Sequence, residues 1–297
     1  GLRAVAAQGI IDFPAPGVPD PSRNIEAAAA FLDRWQGRHP LLTAALFCHS
    51  PYTCGPKTLQ EAKRLATERE APFFIHVAET RSELQIVRER YRATPVEHLA
   101  DLGVLDEHTV CVHGIWLTET DLELLAQTGA RVAVCPASHM KLASGTAPLP
   151  QLLARQIPVG LGTDGCASNN TLDLFKEMDL GAKQQKVSHH DPTVLPAGQV
   201  FGLATRGGAA VLGLEQTIGS LTAGKQADLI TLDLNRPHLT PWYGGESHLV
   251  YAARGADVKD VIIEGRLVLE SRRLRTLDVG ETMAEMRRLA RAVTAAT

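Results

Sequence analysis

Six short apolar runs punctuate the first 165 residues, and the segments between them carry apolar residues at helical spacing. The runs are "RAVAAQGIID" (3–12), "LLTAALFCHS" (41–50), "FFIHVAET" (73–80), "TVCVHGIW" (109–116), "RVAVCPASH" (131–139) and "PVGLGTDG" (158–165). Each is nearly continuous in its apolar character, as strands buried on both faces are. Strands of that kind alternating with helices predict a parallel sheet with crossover connections, an α/β fold. Helix start signals are read at Thr58-x-x-Glu61, Thr80-x-x-Glu83 and Thr120-x-x-Glu123, and helix ends at Gly103 and Gly129. After about residue 215 the pattern changes: "IGSLTAGKQADLITLDLN" and "VKDVIIEGRLVLESRRLRTLD" are short β-rich runs with glycine turns, followed by an amphipathic helix over about 281–296. The arginine pairs 272–273 and 287–288 are read as a solvated face.

Polar chemistry collects at one end of these runs. His49, His76, His113, the stretch Cys135 to His139, and Asp164 each fall at the C-terminal end of a different predicted strand, with Glu79 three positions beyond His76. In a closed parallel barrel those ends converge on one face, so side chains distant in sequence meet there. Imidazole and carboxylate are good ligands for divalent zinc, which lowers the pKa of bound water from about 15.7 to about 7. A neighbouring carboxylic acid can then protonate a substrate. His39, His98, His108, His189, His190, His238 and His248 lie in predicted helices or loops and are read as structural.

Composition narrows the partner. With 30 basic and 33 acidic residues among 297, the chain carries no electrostatic footprint for nucleic acid or an anionic membrane. A small molecule is the expected partner. No apolar stretch approaches a membrane span, and the amino end lacks a signal-peptide layout. Five cysteines without C-x-x-C spacing argue against a disulfide framework, so a soluble cytoplasmic protein is expected.

The segments "CHSPYTC", "IHVAET", "CPASHMKLASG" and "LGTDGCASNN", in this order, resemble the amidohydrolase superfamily, and within it the 5-methylthioadenosine/S-adenosylhomocysteine deaminases. "IGSLTAGKQADLITLDL" and "PHLTPWYGGESHLVYAARGADVKDVIIEGR" continue the resemblance to the end of the chain. It implies a (β/α)8 TIM barrel of the metal-dependent hydrolase type, with strands three to eight in residues 1–215 and the first two βα units absent. Residues 216–280 would be the C-terminal part of a composite β-sandwich and 281–297 a closing helix. The resemblance also implies one zinc ion held by His76 and Asp164, with Asp164 accepting the proton of the attacking water. Glu79 would pass that proton to the purine ring nitrogen, His113 would orient and polarise the hydroxide, and His49 and Arg23 would contact the substrate. The implied reaction is attack on the amino-bearing carbon of an adenine-type nucleoside with loss of ammonia. A homodimer is expected from the same likeness.

Two features depart from the family pattern. No His-x-His occurs in the 297 residues, so the two further zinc ligands are expected in an N-terminal segment outside them, and the chain by itself is expected to be inactive or nearly so. Gln8 stands where some S-adenosylhomocysteine-accepting members carry arginine, and His139 follows Ser138 where asparagine is usual. Replacing a cation by an amide weakens carboxylate recognition. The alternatives are a related amidohydrolase acting on guanine-like bases or triazines, and a short non-catalytic paralogue.

Overall fold

The computed structural model describes residues 1–294; the last positions of the expected closing helix, 295–297, lie outside the described residues. Six strands, β1 (Ala4–Ile10), β2 (Leu42–Cys48), β3 (Phe73–Val77), β4 (Thr109–His113), β5 (Arg131–Val134) and β6 (Val159–Leu161), pair in parallel in their sequence order. Helices separate them: α1 (Asn24–Trp35) follows β1, α2 (Pro56–Glu68) follows β2, α3 (Arg81–Tyr91) and α4 (Pro95–Asp101) follow β3, and α5 (Glu119–Thr128) follows β4. Then α6 (Pro136–Lys141) and α7 (Leu149–Ala154) follow β5. After β6 come α8 (Cys166–Asn169), α9 (Leu174–His189), α10 (Ala197–Gly202) and α11 (Gly208–Val211), the last two joined by a π-helical turn over Leu203–Gly207. The chain then forms β7 (Leu229–Leu232), α12 (Glu246–Tyr251), β8 (Val258–Ile263), β9 (Arg266–Glu270), β10 (Arg273–Leu274) and α13 (Val279–Thr294). The late strands make a separate antiparallel sheet in the order β10-β9-β8-β7, as the β-rich texture after residue 215 predicts.

Register explains how the core forms. Leu46 and Cys48 lie beside Phe73 and Ile75, Ile75 beside Cys111, Cys111 beside Val132, and Val132 and Val134 beside Val159 and Leu161. All are buried and join Leu59, Ala62, Val96, Leu99, Leu122 and Leu125 of the helices in one apolar cluster. Positions of the opposite parity, Phe47, Phe74, His76, Val112 and Ala133, stay partly accessible. The expectation of strands buried on both faces holds at Ala45 and Val110, which share this parity, and not at these five positions.

Three further corrections concern local signals. The run over 131–139 is strand only as far as Val134, because Pro136 opens α6, where a missing N–H costs nothing. Thr58 lies inside α2, whose N-cap is Gly55, and its hydroxyl donates instead to Asp12 at 2.9 Å. The box that starts α5 is Thr118 with Asp121, not Thr120 with Glu123, and Thr94 with Glu97 forms another at the start of α4. Thr80 does cap α3, accepting from the Glu83 amide, and Gly103 and Gly129 stand at helix ends with φ of 67° and 74°.

Two close contacts tie the elements together. A Cβ at Gly160 would come within 2.9 Å of Gly208 Cα, and one at Gly207 within 2.2 Å of the Val159 carbonyl oxygen, so β6 and the π-helical turn meet backbone to backbone. Arg3, beside β1, forms two hydrogen bonds to Asp228 at 2.6 and 3.1 Å, and Asp228 also accepts from the Glu264 amide at 2.8 Å. The arginine pairs are on the surface as read: Arg272 pairs with Asp233 and Arg288 with Glu285. Among the described residues no helix is long and apolar enough to cross a membrane.

Candidate active site

The C-terminal ends of β3, β4 and β6 turn through left-handed backbone at non-glycine residues: Ala78 (φ 54°), His113 (φ 81°) and Asp164 (φ 59°). Such residues each cost about 1 to 3 kcal/mol and persist only where the surroundings hold them. The supports are visible. Glu83, buried in the first turn of α3, accepts from the amides of Ala78 and Glu79 at 2.8 Å each. Glu177, buried on α9, accepts from the Ala137 amide at 2.9 Å and from Asn169 Nδ2 at 2.7 Å, and the same Asn169 nitrogen reaches the Thr163 carbonyl at 2.6 Å. Two buried carboxylates thus brace the corners on which the candidate residues stand.

His76 is oriented by its neighbour strand. Its Nδ1 donates to the His49 carbonyl at 2.7 Å, which leaves the Nε2 lone pair free for a ligand. Its ring stacks on His113 with centroids 5.2 Å apart and meets the His49 ring edge-on at 5.2 Å. Burial holds the His76 pKa below the usual imidazole value, although the bond to the His49 carbonyl opposes this. His49 is fixed through Nδ1, 2.8 Å from the Thr53 hydroxyl, and burial lowers its pKa too.

His113 is 1% exposed, and burial, reinforced by repulsion from His139 and His76, pushes its pKa down to about 3. Its Nε2 lies 3.6 Å from Glu79 Oε2 and its Nδ1 is 3.1 Å from His139 Nε2. With a neutral ring, the Glu79 contact is not an ion pair. Asp164 accepts from the Ser138 hydroxyl at 2.7 Å and from the Gly165 amide at 2.6 Å. Burial raises the Asp164 pKa, but those bonds and the nearby His113 outweigh it, and the net shift is downward. Glu79 moves the other way, raised by burial and then by the charge of Asp164. The two carboxyl groups are therefore separated in acidity, which is how one site keeps a base ionised beside an acid.

The structure brings His49, His76, Glu79, His113 and Asp164 together: the charge of Asp164, which follows β6, acts on His76 and Glu79 at the end of β3 and on His113 at the end of β4. Arg23 is not in this group. Its guanidinium pairs with Glu26 at 2.8 Å and is 65% exposed. Beside the cluster lies a cavity of about 240 Å³ lined by Gln8, Ile10, Asn24, Phe47, His49 and His76. Asn24, rather than its neighbour Arg23, lines it, held by a 2.7 Å bond to the Ile11 carbonyl. Sequence reasoning assigned no role to Ser138, Asn169 or Glu177, and gave Glu83 only a place in a helix start signal. Ser138 lay inside a quoted motif, but only the early end of β5 and the turn into α6 show that it reaches Asp164.

As a metal fit, His76 offers a free Nε2 on an anchored ring and Asp164 an ionised carboxylate, both suited to zinc. Among the described residues no group of three or more His, Cys, Asp or Glu side chains is placed to hold an ion, so these two fill only part of a coordination shell.

The model of the amidohydrolase family matches residues 1–268. The chain belongs to the amidohydrolase family. It is 46% identical over 293 residues to a 5-methylthioadenosine/S-adenosylhomocysteine deaminase of Syntrophobacter fumaroxidans, covering 99% of this chain and 67% of that protein. A 5'-deoxyadenosine deaminase of Methanothermobacter thermautotrophicus is 42% identical, covering 94% of this chain and 64% of that protein. Among solved structures, an adenosine deaminase from Xanthomonas campestris with bound zinc superposes with a TM-score of 0.95 at 35% identity, over 99% of this chain and 66% of that one. The chain thus spans about two thirds of the length of these amidohydrolases. The fold class expected from the sequence, α/β of the amidohydrolase barrel type, is the fold observed.

Proposed function

We propose that this amidohydrolase is a zinc-dependent hydrolytic deaminase of an adenine-type nucleoside, with 5-methylthioadenosine, S-adenosylhomocysteine, 5'-deoxyadenosine and adenosine as candidate substrates. The observation that carries the reading is the cluster at the strand ends, where Glu79 and Asp164 have acidities shifted in opposite directions beside the neutral His113. The deaminase relatives support the substrate class.

His76 and Asp164 would hold the ion, with two further ligands needed to complete its shell; no His-x-His occurs among these 297 residues. Zinc, when bound, supplies Lewis acidity that makes water nucleophilic at neutral pH. Asp164, kept ionised by Ser138 and Gly165, receives the proton of the attacking water. Glu79, with its raised pKa, delivers a proton to the ring nitrogen next to the amino-bearing carbon and so draws electrons from that carbon. His113 fixes the incoming oxygen beside Glu79. As the carbon–nitrogen bond breaks, Asp164 gives its proton to the amine, which leaves as ammonia, and the hydroxyl proton of the adduct returns to Glu79. His49, on the cavity wall, contacts the substrate. Arg23 would have to leave Glu26 to take part in binding.

All five cysteines are free, which suits a reducing cytoplasm, and a homodimer completes the reading. The test is ammonia release from a panel of adenine nucleosides, guanine and triazines by the chain completed with a His-x-His segment, alongside zinc content. Release confined to adenine nucleosides supports the proposal. Turnover of guanine or triazines alone overturns it.

A further inference from the structure

His139 is enclosed, 1% exposed, and its Nε2 faces Nδ1 of His113 at 3.1 Å. Its other nitrogen, Nδ1, is buried without any hydrogen-bond partner among the described residues. Two neutral imidazoles meeting nitrogen to nitrogen share a single hydrogen, and only one of the two rings can supply it.

If His113 supplied it, His139 would carry its own hydrogen on Nδ1, where there is no acceptor. The bare lone pair of His113 Nε2 would then face Glu79 Oε2 at 3.6 Å. If His139 supplies it, the unfilled position is only a lone pair, and His113 turns an N–H toward Glu79. A buried N–H without an acceptor is the rarer and costlier defect. The second arrangement is favoured at the His139 end, and at the His113 end whenever Glu79 is ionised.

We infer that His139 is a positioning residue for His113: its Nε2–H donates to His113 Nδ1 and thereby fixes His113 in the tautomer that presents Nε2–H to Glu79 and the reacting oxygen. The catalytic meaning of this rests on the deaminase reading, because a donor at that point can hold an oxygen that a bare lone pair would repel. The tautomer itself does not depend on turnover. His139 touches neither substrate nor ion in this arrangement; it acts through His113.

The experiment is a long-range proton–nitrogen correlation spectrum of the 297-residue chain labelled with nitrogen-15 at histidine, in which a His113→Gln sample identifies the His113 signals. The expected result is a protonated Nε2 and an unprotonated Nδ1 on His113. In His139→Leu, which offers no donor, a population of His113 with hydrogen on Nδ1 should appear. In His139→Asn, whose side-chain amide can donate, the native pattern should return. Hydrogen on Nδ1 of His113 in the native chain, a His113 pattern that His139→Leu leaves unmoved, or one that His139→Asn fails to restore, overturns the inference. Should His139→Leu fail to fold, the native spectrum and His139→Asn decide between the two. Failure of ammonia release in the separate panel would sink the deaminase reading and leave the tautomer result standing.

Discussion

The carboxylate of Glu83 accepts the amide hydrogen of Glu79 at 2.8 Å, so one buried acid holds the backbone that presents the other. It accepts from Ala78 at the same distance, closing the left-handed corner at the end of β3. Burial raises the Glu83 pKa to about 7, with the amide bonds opposing the rise.

A carboxyl group whose folded pKa is raised contributes stability that is fully present below its unfolded value of 4.5 and is lost as pH rises through about 7. Glu83→Gln removes the ionisation while retaining one acceptor oxygen. Urea denaturation between pH 4 and 8 should therefore show a flatter stability profile for Glu83→Gln, with a difference on the order of 3 kcal/mol across the window. An unchanged profile would mean that Glu83 is not buried as an acid.

Ser138→Ala removes the hydroxyl bonded to Asp164 at 2.7 Å. The Asp164 pKa should rise, because the bond favours the ionised form, and stability at neutral pH should fall by about 1 to 3 kcal/mol. Since a lowered folded pKa gives stability that is lost on acidification, the native chain should lose more than the variant as pH drops below 3.8. Carbon-detected NMR titration of Asp164, with urea midpoints at two pH values, checks both parts.

Gly207→Ala places a Cβ about where the Val159 carbonyl oxygen already stands, at 2.2 Å. Both partners are backbone, so neither can rotate away. The expected loss is about 3 kcal/mol or more, at or beyond the upper end of ordinary overpacking, read as a fall in thermal midpoint or as failure to accumulate folded protein.

Zinc uptake separates the candidate ligands from the bystander. His76→Ala and Asp164→Asn should each lower zinc affinity at least tenfold in calorimetry, whereas Arg23→Ala, which removes only an exposed pair with Glu26, should leave both zinc affinity and the urea midpoint unchanged. Equal losses in all three would count against the ligand assignment.

Much of this could be read from the chain. The six apolar runs located every strand of the parallel sheet, since an apolar stretch of that length leaves few alternatives. The clustering of His49, His76, His113 and Asp164 followed from their shared place at strand ends. What stayed hidden was contact between residues whose proximity depends on exact ends. Ser138 and His139 were inside an apparent strand until Pro136 turned the chain into α6, and one residue of difference there changes which side chain reaches Asp164. Glu177 carried no signal, and Glu83 signalled only a helix start with Thr80, because a buried acid in a helix looks like a surface acid until its amide partners are known. Arg23 and Asn24 are adjacent in the sequence, and nothing in it shows which of them turns inward.

The salt link from Arg3 to Asp228 clasps the opening strand to the late sheet across 225 positions of chain. Cutting back the first few residues would therefore loosen a region more than two hundred positions away, and protease sensitivity should emerge around the 228–264 segment before it does in the helices between.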